Sequence, residues 1–110
     1  MEIYLLGPTS GLPNENRNKF SDVAQQLRAR GLKVVNFFED LETYDMVHLR
    51  RDDIRQIRIT CLLNAKAFVI IEPLDGDLDA MKELEIANEK CIKELQLRDL
   101  LSKVVLYPSN

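Results

Sequence analysis

Histidine and cysteine are almost missing from this chain, which has one His and two Cys in 110 residues. A structural zinc site takes about four such ligands at close spacing, and His48, Cys61 and Cys91 are too few and too scattered for that. No metal is therefore expected. Two reduced thiols in the core are expected instead, and with them a cytoplasmic location. An excess of basic side chains is lacking as well: 15 Lys and Arg stand against 18 Asp and Glu, for a net charge of −3. A nucleic-acid polymer draws on clustered cations, so none is expected as a partner, whereas a single nucleotide can be held by a few backbone N–H groups. There is no run of about 18 apolar residues to span a membrane. Nor does a basic segment with a hydrophobic stretch precede the first apolar run, as a secretory signal would require. No repeat or linker interrupts the sequence, so residues 1–110 read as one domain of ordinary globular composition, 45% hydrophobic and 30% charged.

The hydrophobic pattern alternates between short apolar runs and amphipathic stretches. Residues 3–6 (Ile-Tyr-Leu-Leu) form a buried strand that stops at Gly7-Pro8, and residues 9–16 form a shaped loop rich in small and polar side chains. Phe20, Val23, Ala24 and Leu27 make one apolar stripe of a helix over 18–30, with Gly31 as its C-terminal cap. A second strand is predicted over 33–38 and a loop over 39–43. A charged helix follows over 44–63, with Val47, Ile54, Ile57 and Cys61 inward and Arg50, Arg51, Asp52, Arg55 and Arg58 outward. A third strand over 66–72, a long helix over 78–101 burying Leu84, Ala87, Cys91 and Leu95, and a closing strand over 103–107 complete the order. Strands alternating with helices imply right-handed parallel crossovers. The fold class is α/β, a doubly wound parallel sheet of four strands in the order 2-1-3-4, a flavodoxin-like three-layer sandwich.

That topology locates a cleft. Ligands bind where the strand order reverses, which is between the ends of the first and third strands. Residues 7–12 and the acidic turn at 75–79 therefore face each other. Asp75, Asp77, Asp79, Glu83 and Glu85 crowd eleven residues here. Helix capping and the macrodipole explain such acids equally well, and Asp77 fits an N-cap position.

The opening Ile3-Tyr4-Leu5-Leu6-Gly7-Pro8-Thr9-Ser10-Gly11-Leu12-Pro13 and the second-strand Val34-Val35-Asn36 resemble a small uncharacterised, DUF4406-like family related to nucleoside 2-deoxyribosyltransferases. Asp77-x-Asp79-Ala80-x-x-Glu83-x-x-x-Ala87 resembles the transferase pattern D-x-G-[TS]-x-x-E-x-G-x-A. The resemblance implies Glu83 as nucleophile and Asp77 as acid-base or base-orienting partner. It also implies a sugar or phosphate cradle of Gly7, Pro8, Thr9, Ser10, Gly11 and Leu12, with Asn36 and Asp53 (or Asp52) as further contacts. A carboxylate below an anomeric carbon stabilises an oxocarbenium-like transition state and can trap the sugar. A second carboxyl with a raised pKa can protonate the departing base.

Three functions are open at this point. The first is a nucleoside or nucleotide N-glycosidase or deoxyribosyltransferase-like protein that needs no cofactor. The second is a non-catalytic nucleotide-binding protein using the same cleft, favoured by Asp79, Ala80 and Glu85 in place of the pattern's glycines and hydroxyl. The third is an accessory protein acting through oligomer contacts. A homo-oligomer is expected, since the related enzymes complete their sites across subunits. Asn36 reads equally as a loop-stabilising amide, Tyr4 as core, His48 as a surface residue, and the arginine stripe as a salt-bridged face or a phosphate neutraliser.

Overall fold

A computed structural model describes residues 2–44 and 48–104. Strand β1 (Glu2–Leu6) is buried after its first residue, as a near-continuous apolar run in the middle of a parallel sheet should be. It pairs in parallel with β2 (Lys33–Val35) on one side and β3 (Ala67–Ile70) on the other. Strand β4 (Lys93–Leu95) pairs in parallel with β3. The order is β2-β1-β3-β4, so the reversal falls between β1 and β3. Helix α1 (Arg17–Arg28) packs with the C-terminal α5 (Leu97–Leu101) in one layer. In the other, α3 (Arg51–Asn64) packs with α2 (Phe37–Leu41) and with α4 (Leu78–Glu89). The protein is a three-layer α/β sandwich.

The stripe of α1 is Phe20, Val23, Ala24 and Leu27, all buried. Phe20 meets Phe37 and Phe38 edge-on, with ring centroids 5.3 and 5.1 Å away, a geometry favoured by the ring quadrupoles.

Several boundaries differ from the sequence reading. Strand β2 stops at Val35, and the predicted tail of that strand with its loop is instead α2. Asn36 Oδ1 accepts from the Phe38 N–H at 3.1 Å, capping a helix whose Phe37, Phe38 and Leu41 are buried. Helix α3 begins at Arg51, and Val47 lies outside the described residues. The long last helix is two: α4 ends in a turn in which the Ile92 N–H donates to Ala87 O at 2.9 Å and the Cys91 N–H to Asn88 O at 3.2 Å. Cys91 occupies the left-handed position there, with φ 55°. This is the Schellman arrangement, also formed after α1 by Gly31 and Leu32. Glycine advertises such a stop and cysteine does not. The fourth strand is consequently Lys93–Leu95. Of the predicted closing strand, Lys103 and Val104 are not strand, and 105–107 lie outside the described residues.

The thiols part company. Cys61 is buried and Cys91 exposed, both free, so Cys91 is not the core residue expected. Burial, and then the Asp40 carboxylate that accepts the Cys61 thiol proton at 3.0 Å, push Cys61 up to about 12. Among the described residues, no helix is long and apolar enough to cross a membrane.

Candidate functional site

The loop after β1 and the N-terminus of α4 are joined through one carboxylate. Asp77 Oδ2 accepts from the backbone N–H groups of Thr9 and Ser10, each at 2.9 Å, while Oδ1 accepts from the Ala80 N–H at 2.9 Å. Asp77 is thus the N-cap of α4 and the clamp on the loop at once. Burial opposes its charge, yet the three N–H donors and the Arg58 guanidinium outweigh burial and hold the carboxyl below its ordinary value. A proton donor to a leaving base needs the opposite shift, whereas these contacts favour a charged Asp77. The same clamp takes the Thr9 and Ser10 N–H groups, within the loop that the resemblance implies as a sugar or phosphate cradle.

A second tie holds the loop from its far end. Asn14, Glu15 and Asn16 are three consecutive left-handed residues, with φ of 49°, 54° and 65°. Asn16 Nδ2 donates to Pro8 O at 2.9 Å and to a Glu72 carboxylate oxygen. Left-handed backbone is costly for a side chain such as Glu15, and these contacts offset that cost.

Behind the loop lies a buried polar cluster. Glu83 is 2% exposed and Arg58 3% exposed. The Tyr4 hydroxyl donates to Glu83 Oε1, and Arg58 Nε lies 2.7 Å from Glu83 Oε2. Arg58 Nη1 donates to Thr9 Oγ1 at 3.2 Å, and the guanidinium carbon stacks 4.4 Å from the centre of the Phe37 ring. Among the described residues, neither Nε, despite its closeness to Glu83, nor Nη2 makes a well-directed hydrogen bond, and both are sealed from solvent. Burial pushes the Glu83 carboxyl up, and Arg58 with the Tyr4 hydroxyl pulls it back without cancelling the shift. Burial and then the Glu83 charge raise the Tyr4 phenol well above its usual value. Burial alone would lower Arg58, but Glu83 and Tyr4 more than compensate.

Arg58 was expected on the wet face of its helix, and the structure reverses that. The pattern carried a signal: Ile54, Arg58 and Cys61 fall at i, i+4 and i+7, so Arg58 interrupts the inward stripe rather than lying opposite it. Tyr4 is core, as expected, but its hydroxyl reaches the Glu83 carboxylate.

Two cavities open onto the loop, both within the range of ligand clefts. The larger, about 480 Å³, is bordered by Pro8, Ser10 and Leu12 and by the acidic turn around Asp75, Asp77 and Asp79. The smaller, about 300 Å³, is bordered by Thr9, Ser10, Gly11, Phe37, Phe38 and Arg58. Arg51, Arg55 and Asp79 border both, and Arg55 Nε binds Asp79 Oδ1 at 2.8 Å, joining α3 to α4. The Asp79 charge that breaks the transferase pattern is thereby paired.

Three expected contacts are elsewhere. Gly7 is buried in packing, where an added Cβ would lie 2.6 Å from Ile71 Cγ1 and 3.3 Å from Phe20. Gly7→Ala is therefore expected to cost about 1–3 kcal/mol of stability by overpacking, read as a lower denaturant midpoint. Asn36 caps α2 and borders a separate cavity with Val34, Val35 and Asp40. Asp53 is exposed, accepts from the Arg50 N–H at 2.9 Å, and borders a cavity between α2 and α3. Among the described residues, no three His, Cys, Asp or Glu cluster as metal ligands.

Residues 1–96 match a protein family described as a domain of unknown function, DUF4406. Comparison with curated proteins and with solved structures returned no match.

Proposed function

The chain belongs to the DUF4406 family, and from that premise we propose that the cleft at the ends of β1 and β3 binds a nucleoside or nucleotide without turning it over. The observation that carries this reading is the buried Tyr4–Glu83–Arg58 cluster beside the cleft. A closed ion pair seldom stabilises a core more than apolar side chains of similar volume would. Titratable groups shifted by burial and a specific charge partner, next to a cleft, point to a functional site. The ligand class rests on the resemblance of the Asp77–Ala87 segment to the transferase pattern. Binding is favoured over turnover because both carboxylate oxygens of Asp77 are engaged by backbone N–H groups and Glu83 is buried and paired with Arg58.

A second reading, cleavage of an N-glycosidic bond, is favoured by one observation. Glu83 holds the nucleophile's place in the pattern and borders a small cavity of about 30 Å³ with Arg55, Ile59, Asp79 and Lys82. In that reading the carboxylate attacks the anomeric carbon and the C–N bond breaks with its electron pair leaving on the base. Water or a second base then releases the sugar. Arg58 would have to withdraw from Glu83 first.

A panel of deoxynucleosides and their 5′-monophosphates separates the two. A ligand at about 100 times its Kd is expected to stabilise the protein by about 2.7 kcal/mol, read as a raised Tm, with no free base released. Base release that disappears in Glu83→Gln would establish the second reading in its place. No thermal shift at millimolar concentration with any of the panel would overturn both.

A further inference from the structure

We infer that the Arg55–Asp79 ion pair is a latch across the seam between α3 and α4 that governs access from the cleft to Glu83. Such a latch goes beyond the proposed function, because it closes on Glu83 whichever ligand the cleft takes. The small cavity at Glu83 has a rim and a floor. Arg55 and Ile59 come from successive turns of α3, and Asp79 and Lys82 from successive turns of α4. Glu83 is the floor, its side chain 3% exposed against 21% for Asp79 and 44% for Arg55. At about 30 Å³ this cavity is a tenth or less of either cavity at the loop, too small for an organic ligand.

Arg55 and Asp79 border both cavities at the loop as well, so their ion pair stands between the cleft and Glu83. Arg55 Nε lies 2.8 Å from Asp79 Oδ1. The same guanidinium has a second partner on its own helix, with Nη1 3.3 Å from Asp52 Oδ1. Released from Asp79, it keeps a carboxylate on the α3 surface, so opening leaves no unpaired cation. Strength decides which tie yields first. A pair this open to solvent is favoured by at most about fivefold over its separated form, and salt weakens it further. The Arg58–Glu83 pair beneath is shut away from water and far harder to part. Access to Glu83 is therefore set by the weaker, outer tie.

Carbodiimide coupling of a small amine to the carboxyl groups of the full chain, read from peptide masses, tests the latch. In wild type, Glu83 should couple more slowly than the exposed Glu85. Asp79→Ala and Arg55→Gln, each checked for native circular dichroism, should both speed coupling at Glu83 by about threefold to fivefold, the upper range for an exposed pair. Wild type in about 1 M salt, where screening acts within about 3 Å, should approach the variants. Charge alone does not imitate this pattern, because coupling favours the protonated acid. Loss of Asp79 removes a like charge that raises the Glu83 carboxyl and by itself slows coupling. Loss of Arg55 removes a cation and by itself speeds it. A rise absent from either variant, or a wild-type rate indifferent to salt, would overturn the latch. So would a parallel rise in alkylation of the buried Cys61, which meets Asp40 across α3 and α2 and would report a loosened helix. A rise at Glu83 in both variants with Cys61 unchanged establishes it. Nucleotide binding does not enter this measurement, so a failed thermal-shift panel leaves the latch standing.

Discussion

Arg58→Ala is expected to lower the unfolding free energy by about 3–5 kcal/mol, the scale for removing one partner of a buried ion pair. Domains of this kind have only about 5–15 kcal/mol in total, so the variant should be close to unfolding. Most of the loss comes from what remains. Glu83, 2% exposed, would keep the Tyr4 hydroxyl but lose the Arg58 cation, and the Phe37 ring would lose the guanidinium stacked on it. A paired change, Arg58→Met with Glu83→Leu, should recover much of the stability because it leaves no orphaned charge.

The pH dependence has a definite sign. The folded-state pKa of Glu83 is already raised by burial, and losing Arg58 raises it further. A raised carboxyl binds its proton more tightly folded than unfolded, so its contribution is fully present below the unfolded value. It is lost as pH rises through the folded value. The deficit of Arg58→Ala should therefore shrink as pH is lowered toward the ordinary glutamate value of 4.5. Urea titrations of both proteins between pH 4 and 8 measure this. A deficit below about 1 kcal/mol at pH 7, against the buried-pair scale, would show that Glu83 is solvated in the folded protein.

Asp77→Ala should cost about 2–4 kcal/mol. Loss of the α4 N-cap accounts for about 1 kcal/mol. The Thr9 N–H, on a buried residue, loses a charged acceptor of the kind worth about 1.5–3 kcal/mol, while Ser10 is exposed and can turn to water. Asp77→Asn should recover part of the loss, since the amide oxygen can still accept at one of the two sites. The sign with pH is opposite to that of Glu83. A depressed carboxyl contributes stability above its ordinary value of 3.8, and that stability is lost as pH falls through the folded value. Wild type should thus weaken more steeply than Asp77→Ala below pH 3.8, as melting curves in acid would show. Equal acid sensitivity of the two proteins would remove Asp77 from the clamp. Ligand affinity should also fall in Asp77→Ala, because residues 9 and 10 border the cavities they would no longer be held against.

Much of the architecture was legible in periodicity. Phe20, Val23, Ala24 and Leu27 predicted one helix face, and the apolar runs at 3–6 and 67–71 marked the two central strands. Their order placed the cleft between them. Edges were less legible, because Lys93-Glu94-Leu95 is short and polar and continues the helical spacing of Ala87 and Cys91. Only the backbone turn at Cys91 breaks it.

By itself, the sequence determined the doubly wound topology and the meeting of the loop at 7–12 with the acidic turn. Those follow from local patterns, which act over a few residues. The tertiary structure alone decided which charges are paired. Asp77 meets Thr9 and Ser10 from nearly seventy positions away, and Tyr4 meets Glu83 across 79. Contacts at such separations depend on how strands and helices stack. That stacking made Asp77 a clamp on the loop at 9–10 as well as a helix cap and brought Arg58 from the surface into the core.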